Sequence, residues 1–196
     1  IIIYASDQGF FIGEHGWFGT HWMYEESMRV PLILSGKPKP ENAQKIINEA
    51  LVQDLDIVPT ILESLDLEIP IEVQGLSLLP LLEDNNTQPW RRVLYFHHHE
   101  FPDEQMVPKH RGIRTSSQKL IHYYQFDEWE LFDLIKDPNE NHNLYNSEAY
   151  QKQIAELKAQ LEEIGKTYED NSDFSVMPEE WRRIYRGPDA RKKADE

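Results

Sequence analysis

Asp7 and Gln8 stand side by side just after the apolar run Ile1-Ile2-Ile3-Tyr4-Ala5. A carboxylate and an amide carbonyl are hard oxygen donors of the kind that bind Ca2+ or Mg2+. The bare dipeptide is equally an ordinary strand-end cap, so its setting has to decide. Gly9 follows and lets the backbone turn close to the pair. Histidines supply the other candidate chemistry. His15, within Gly13-Glu14-His15-Gly16, reads either as a loop histidine bonded to backbone or as a pocket residue contacting substrate, with Glu14 either orienting it or simply solvated. In His97-His98-His99, a strand would put His97 and His99 on one face with Tyr95, and His98 on the other with Phe96. Packing at a rim and a transition-metal site are both open there. His110, Arg111 and Arg114 form a cationic cluster, in which Arg114 reads as the partner of a carboxylate within the fold.

These residues need elements to hold them. Residues 1–5 lack polar alternation and read as a buried strand of a parallel sheet. Open α/β sheets bind ligands beyond the carboxyl ends of their strands, where Asp7 and Gln8 lie. Residues 6–22 are then a site-forming loop, 30–35 a second strand and 36–40 a turn. Asp56 reads as a helix N-cap with Pro59 in the first turn, followed by the apolar Leu62, Leu65 and Leu67. The polar stretch 84–89 divides the chain at 85/86. Beyond it, 92–99, 111–115, 119–124 and 128–133 read as short strands. In 146–168, Tyr150, Ile154, Leu157, Leu161 and Ile164 recur as one apolar helix face, and Gly165 marks its end. That face would cover one side of a small antiparallel sheet. The tail from Asp170 reads as surface, with Trp181 and Tyr185 able to dock it.

The 196-residue chain can bury a core, but 28% of its residues are charged and its formal charge is −15. That balance opposes nucleic-acid binding through a general electrostatic field. It does not exclude an anionic substrate held by a local metal or cationic pocket. The absence of cysteine excludes thiolate metal sites and a cysteine nucleophile here. No stretch approaches the roughly 18 apolar residues of a membrane span, and no signal peptide is present. Because Ile1 opens directly into a core strand, the chain is expected to be the C-terminal part of a longer polypeptide.

The stretch SDQGFFIGEHGWF…MYEESMRVPLI closely resembles the sulfatase family of the alkaline-phosphatase superfamily. TSSQKLIHYYQFDEWELFDLIKDPNENHNLY resembles the C-terminal subdomain of that family. The closest likeness includes iduronate- and glucosamine-sulfatase branches. The resemblance implies an α/β fold. Residues 1–85 would be the C-terminal part of an α/β/α catalytic domain, and 86–196 a small α+β subdomain. It implies Asp7 and Gln8 as ligands of Ca2+, with Mg2+ as the alternative, and His15, His110 and Arg111 as contacts of a sulfated sugar. Most relatives carry Lys where this chain has Thr20, and in the family that ammonium contacts the sulfate and the leaving oxygen. Thr20 carries no charge, so His21 is the candidate substitute. The family nucleophile is formylglycine, made in a C/S-x-P-x-R motif that this chain lacks. It is therefore expected in an N-terminal part of the same polypeptide, which would be a partner of this chain, and the fragment alone should be inactive. The implied reaction is hydrolysis of sulfate esters or sulfamates of a sulfated carbohydrate, such as a glycosaminoglycan, by an exported enzyme. A phosphodiester or phosphonate hydrolase of the same superfamily and a non-catalytic glycan-binding relative are the alternatives.

Overall fold

The structure, a computed structural model, describes residues 1–35, 49–82, 89–102 and 104–186. The expected turn at 36–40 and the expected division at 85/86 fall outside them. Strand β1 (Ile2–Ala5) opens the chain. The loop after it carries a short hairpin, β2 (Phe11–Ile12) and β3 (Phe18–Gly19), around a 3-10 turn at Glu14–Gly16. One helical turn follows, α1 (Glu25–Met28), before β4 (Leu32–Ser35) returns antiparallel to β1. Among the described residues the buried, parallel setting expected for residues 1–5 is not observed. β1 pairs antiparallel with β4, and Ile2 and Tyr4 are exposed. Apolar composition states how much surface a strand has to bury. The direction of its neighbour follows from the chain reversal through α1.

Helix α2 (Ile57–Ser64) starts at Asp56, with Pro59 in its first turn as expected. The Asp56 side chain, however, does not cap α2. It is fully buried and accepts the Gln53 N–H at 2.9 Å, the Leu76 N–H at 2.8 Å and both arms of Arg91 at 2.7 and 2.6 Å. This carboxylate thus fastens the turn before α2 to the segment entering the next strand.

The strands β5 (Val93–His98), β6 (His110–Thr115), β7 (Gln118–Tyr123) and β8 (Glu128–Asp133) form one antiparallel sheet in that order. Each lies within a residue of its expected position. Alternation sends Ile113, Leu120 and Leu131 to one face and Ile121, Tyr123 and Phe132 to the other. Helix α3 (Gln151–Thr167) lays Ile154, Leu157 and Leu161 on the first face. Each such buried side chain contributes roughly 1.5–3 kcal/mol. The helix runs past Gly165 to Thr167, and the Asp170 N–H closes it on the Gly165 carbonyl at 2.9 Å. The tail then folds back. Helix α4 (Glu179–Arg186) rests Tyr185 against Phe101, with ring centroids 4.9 Å apart.

The second face of the sheet is covered by the loop from β1 to α1. Phe11, Met23 and Tyr24 form one core with Ile121, Tyr123 and Phe132. Gly112 makes this approach achievable, because a Cβ there would lie 2.4 Å from the Met23 sulfur. The sheet therefore carries a helix on one side and the candidate site loop on the other. Among the described residues no helix is long and apolar enough to cross a membrane.

Candidate active site

Asp7 is exposed immediately beyond β1. Its Oδ1 accepts the Gln8 backbone N–H at 2.8 Å and the Ser6 hydroxyl at 3.4 Å. The same hydroxyl lies 2.9 Å from the Gln8 carbonyl. The Gly9 N–H donates to the Ser27 carbonyl at 2.8 Å. A Cβ on Gly9 would lie 1.9 Å from the Glu26 carbonyl oxygen, so the loop sits flush on α1. In donor chemistry the pair fits a hard divalent cation, with one anionic and one neutral oxygen donor. Two side chains fall short of the roughly six to eight oxygens that calcium takes. Among the described residues no group of three or more His, Asp or Glu side chains is placed to hold a metal.

His15 takes a left-handed backbone conformation, φ 55°. Its ring packs 4.6 Å from Tyr24 and 5.8 Å from Trp17, and its Nε2 lies 3.5 Å from Glu26. Of the two readings left open for Glu14, orienting His15 is not the one seen: its carboxylate accepts the Ile12 N–H at 2.8 Å. Thr20 is buried and paired twice with Gln105. Its N–H donates to Oε1 at 2.6 Å, and its hydroxyl accepts from Nε2 at 3.0 Å. His21 stacks on His98, with ring centroids 5.2 Å apart, and helps line a cleft of about 620 Å3 with Glu100, Pro102, Glu104 and Gln105.

His110 and Arg111 are both buried and lie on opposite faces of the sheet. His110 is fully buried next to His98, and its Nδ1–H donates to the Pro108 carbonyl at 2.7 Å. Burial pushes its pKa down to about 3. Arg111 points to the opposite face of the sheet, where it pairs with Glu162 of α3 and covers the Phe174 ring at 3.8 Å. Strand alternation separates these neighbours. His110 lies on the face of the site loop and Arg111 on the face of α3. His97 shares the latter face. Its Nδ1–H donates to Asp170 at 2.6 Å, and its Nε2 accepts from the Tyr124 hydroxyl at 3.0 Å. Tyr95 donates to the same Asp170 oxygen. Burial opposes ionisation of Asp170, but hydrogen bonds from Ser172, Tyr95 and His97 outweigh it and hold the carboxyl well below the usual range. A cleft of about 700 Å3 opens beside these groups, lined also by Gln53, Gln74 and Tyr168. Arg114 pairs with a carboxylate, as expected, reaching Glu25 at 3.1 Å.

Reading the sequence missed how α1 is held. Lys119, in the middle of β7, is fully buried between Glu140 at 2.7 Å and Glu25 at 2.9 Å. The Glu25 N–H donates to Glu140 at 2.6 Å. Tyr24 donates to Glu130 at 2.7 Å. The available signal was Lys119 itself, since it falls on the same strand face as the core residue Ile121.

Residues 13–167 match the family model described as N-sulphoglucosamine sulphohydrolase, C-terminal. The chain belongs to this sulfatase family. An N-acetylglucosamine-6-O-sulfatase of Bacteroides thetaiotaomicron is 45% identical over 87% of the chain and 31% of its own length. An arylsulfatase of Clostridium perfringens is 37% identical over 81% of the chain and 32% of its own length. A solved structure of a protein in complex with its substrate D-glucosamine-2-N,6-O-disulfate superposes with a TM-score of 0.75 at 40% identity, covering 88% of this chain and 35% of that one. The chain thus spans about a third of the length of these sulfatases. Its fold is the C-terminal portion of their alkaline-phosphatase-like α/β architecture, followed by the small antiparallel sheet and helix.

Proposed function

We propose that the whole protein is an exported, metal-dependent sulfatase that hydrolyses sulfate esters or sulfamates of a sulfated amino sugar. The observation that carries this is the seating of Asp7 and Gln8, two oxygen donors at the end of β1 pressed onto α1 through Gly9. Asp7 and Gln8 would hold Ca2+, or Mg2+, together with ligands from an N-terminal part of the polypeptide. Such an ion would supply electrostatic stabilisation of negative charge on the sulfate oxygens. The nucleophile, a formylglycine, belongs to that N-terminal part. This chain supplies one wall of the pocket, formed by His15 and the His21 cleft. The amino-sugar preference rests on the relatives, one an N-acetylglucosamine-6-O-sulfatase and another solved with a glucosamine disulfate.

The test uses the full-length protein, N-acetylglucosamine-6-sulfate and D-glucosamine-2-N,6-O-disulfate, with sulfate release as the readout. Release should need Ca2+ and fall at least 100-fold in Asp7→Ala. Faster cleavage of a phosphonate monoester than of any sulfated sugar would replace the reading with the phosphonate hydrolase.

One observation favours a second reading, a glycan-binding relative without turnover. Thr20 is buried against Gln105, so no cation reaches from that position. Thr20→Lys separates the two. A large gain in sulfate release marks a degenerate site, and no gain marks Thr20 as part of a working one.

A further inference from the structure

We propose that the buried cluster Lys119–Glu25–Glu140 is a positioning element for Asp7 and Gln8, deepening the metal site of the proposed function, on which it rests. The connection is continuous. Gly9, next to Gln8, is bonded to the Ser27 carbonyl at 2.8 Å and presses on the Glu26 carbonyl. Both carbonyls belong to α1, a helix of four residues. A single turn does not hold itself together in water. Its first residue is instead clamped to the sheet. The Glu25 carboxylate receives Lys119 at 2.9 Å and Arg114 at 3.1 Å, and its N–H reaches Glu140 at 2.6 Å. Glu140 then closes the ring on Lys119 at 2.7 Å, presented by a residue with a left-handed φ of 52°.

Two cations and two carboxylates balance within the cluster. Burial raises the Glu140 pKa against the pull of Lys119, whereas Lys119 and Arg114 outweigh burial at Glu25 and lower it. Buried ion clusters gain little stability over apolar side chains of the same volume, and their best-attested use is to select one arrangement. The arrangement selected here is the height and rotation of α1 on the sheet, and through Gly9 the position of Gln8. Partners behind metal ligands typically set affinity by roughly 10–100-fold.

The experiment takes the full-length protein and its Lys119→Met/Glu140→Gln double variant, which removes both buried charges together. Ca2+ affinity is read by titration calorimetry, and hydrogen exchange of the Gly9 amide by mass spectrometry. The expected result is Ca2+ binding weakened at least tenfold, faster Gly9 exchange and an unchanged far-ultraviolet spectrum. Ca2+ affinity within twofold of wild type overturns the positioning role and leaves the sulfatase reading intact. Wild-type protein that binds no divalent cation overturns both. Should the double variant not fold, Arg114→Gln, at the partly exposed end of the cluster, gives the same readout. A weaker Ca2+ affinity with faster Gly9 exchange supports the role, and unchanged values overturn it.

Discussion

Gly9→Ala tests most directly how this chain places Asp7 and Gln8. On the observed backbone the added Cβ would lie 1.9 Å from the Glu26 carbonyl oxygen, where real Cβ atoms essentially never come within 3.0 Å of such a neighbour. The loop and α1 must therefore part by about 1.1 Å. Glu26 sits within α1, which Glu25 ties to Lys119 and Arg114, so the loop is the side that moves. The shift stretches the 2.8 Å bond from Gly9 to Ser27 beyond the roughly 3.2 Å limit of a good hydrogen bond. Losing that bond costs about 1 kcal/mol of stability. In a chain of this size that lowers the melting temperature by roughly 2–4 °C. The functional cost is larger, because a misplacement of about 1 Å at a reacting centre costs on the order of 100-fold in rate. The assay compares sulfate release, Ca2+ titration and thermal unfolding of the full-length variant and wild type. We expect kcat/KM about 100-fold down, weaker Ca2+ binding and a melting temperature within about 5 °C. Sulfate release within threefold of wild type would mean that the loop tolerates the displacement and that Gly9 does not set Asp7 and Gln8.

Removing the buried carboxylate in Asp56→Ala strips the partly buried Arg91 of its partner and leaves two N–H groups unpaired. Breaking such a pair costs roughly 3–5 kcal/mol, so melting should fall by at least about 6 °C. A fall under 2 °C in calorimetry would contradict the hub. Leu161→Ala, at a fully buried position on α3, should cost roughly 2–5 kcal/mol, read as a lower urea midpoint at constant slope. Stability should also fall with acid from about pH 6.5 downward. Burial, with His99 nearby, lowers the His97 pKa to about 4, and burial lowers His110 to about 3 and His122 to about 4. The unfolded chain therefore takes up these protons first, and the stability present above about pH 6.5 is lost as pH falls through 4 to 3. His110→Phe should flatten that limb in pH-dependent melting, and an unchanged slope would remove His110 from the account.

Periodicity is a local property, and the elements that depend on it were legible. The four sheet strands and the apolar face of α3 were readable from side-chain alternation and from three- and four-residue spacing. Asp7, Gln8 and His15 were legible as one loop for the same reason, being close in sequence. Pairing between distant residues leaves no such trace. Residues 1–5 looked like a parallel core strand because composition does not encode a neighbour's direction. Glu14 looked like the partner of His15 because it is adjacent, but the carboxylate that meets the imidazole is Glu26, brought in by the return of the chain. His110 and Arg111 looked like one cationic cluster because they are consecutive, and the strand sends them to opposite faces.

The segment Tyr24-Glu25-Glu26-Ser27 shows why a motif can be recognised before its purpose is. Its four residues fasten four different parts of the chain. Tyr24 reaches Glu130 on β8, Glu25 reaches Lys119 and Arg114 on the sheet, Glu26 reaches His15, and the Ser27 carbonyl holds Gly9. Three of these ties use side chains and one uses backbone. Side-chain substitution should therefore loosen the anchors toward the sheet and His15 one at a time, and the backbone tie to Gly9 weakens as α1 loses its seat on the sheet. The residue identities thus serve to set α1 on the sheet, and α1 in turn sets Asp7 and Gln8.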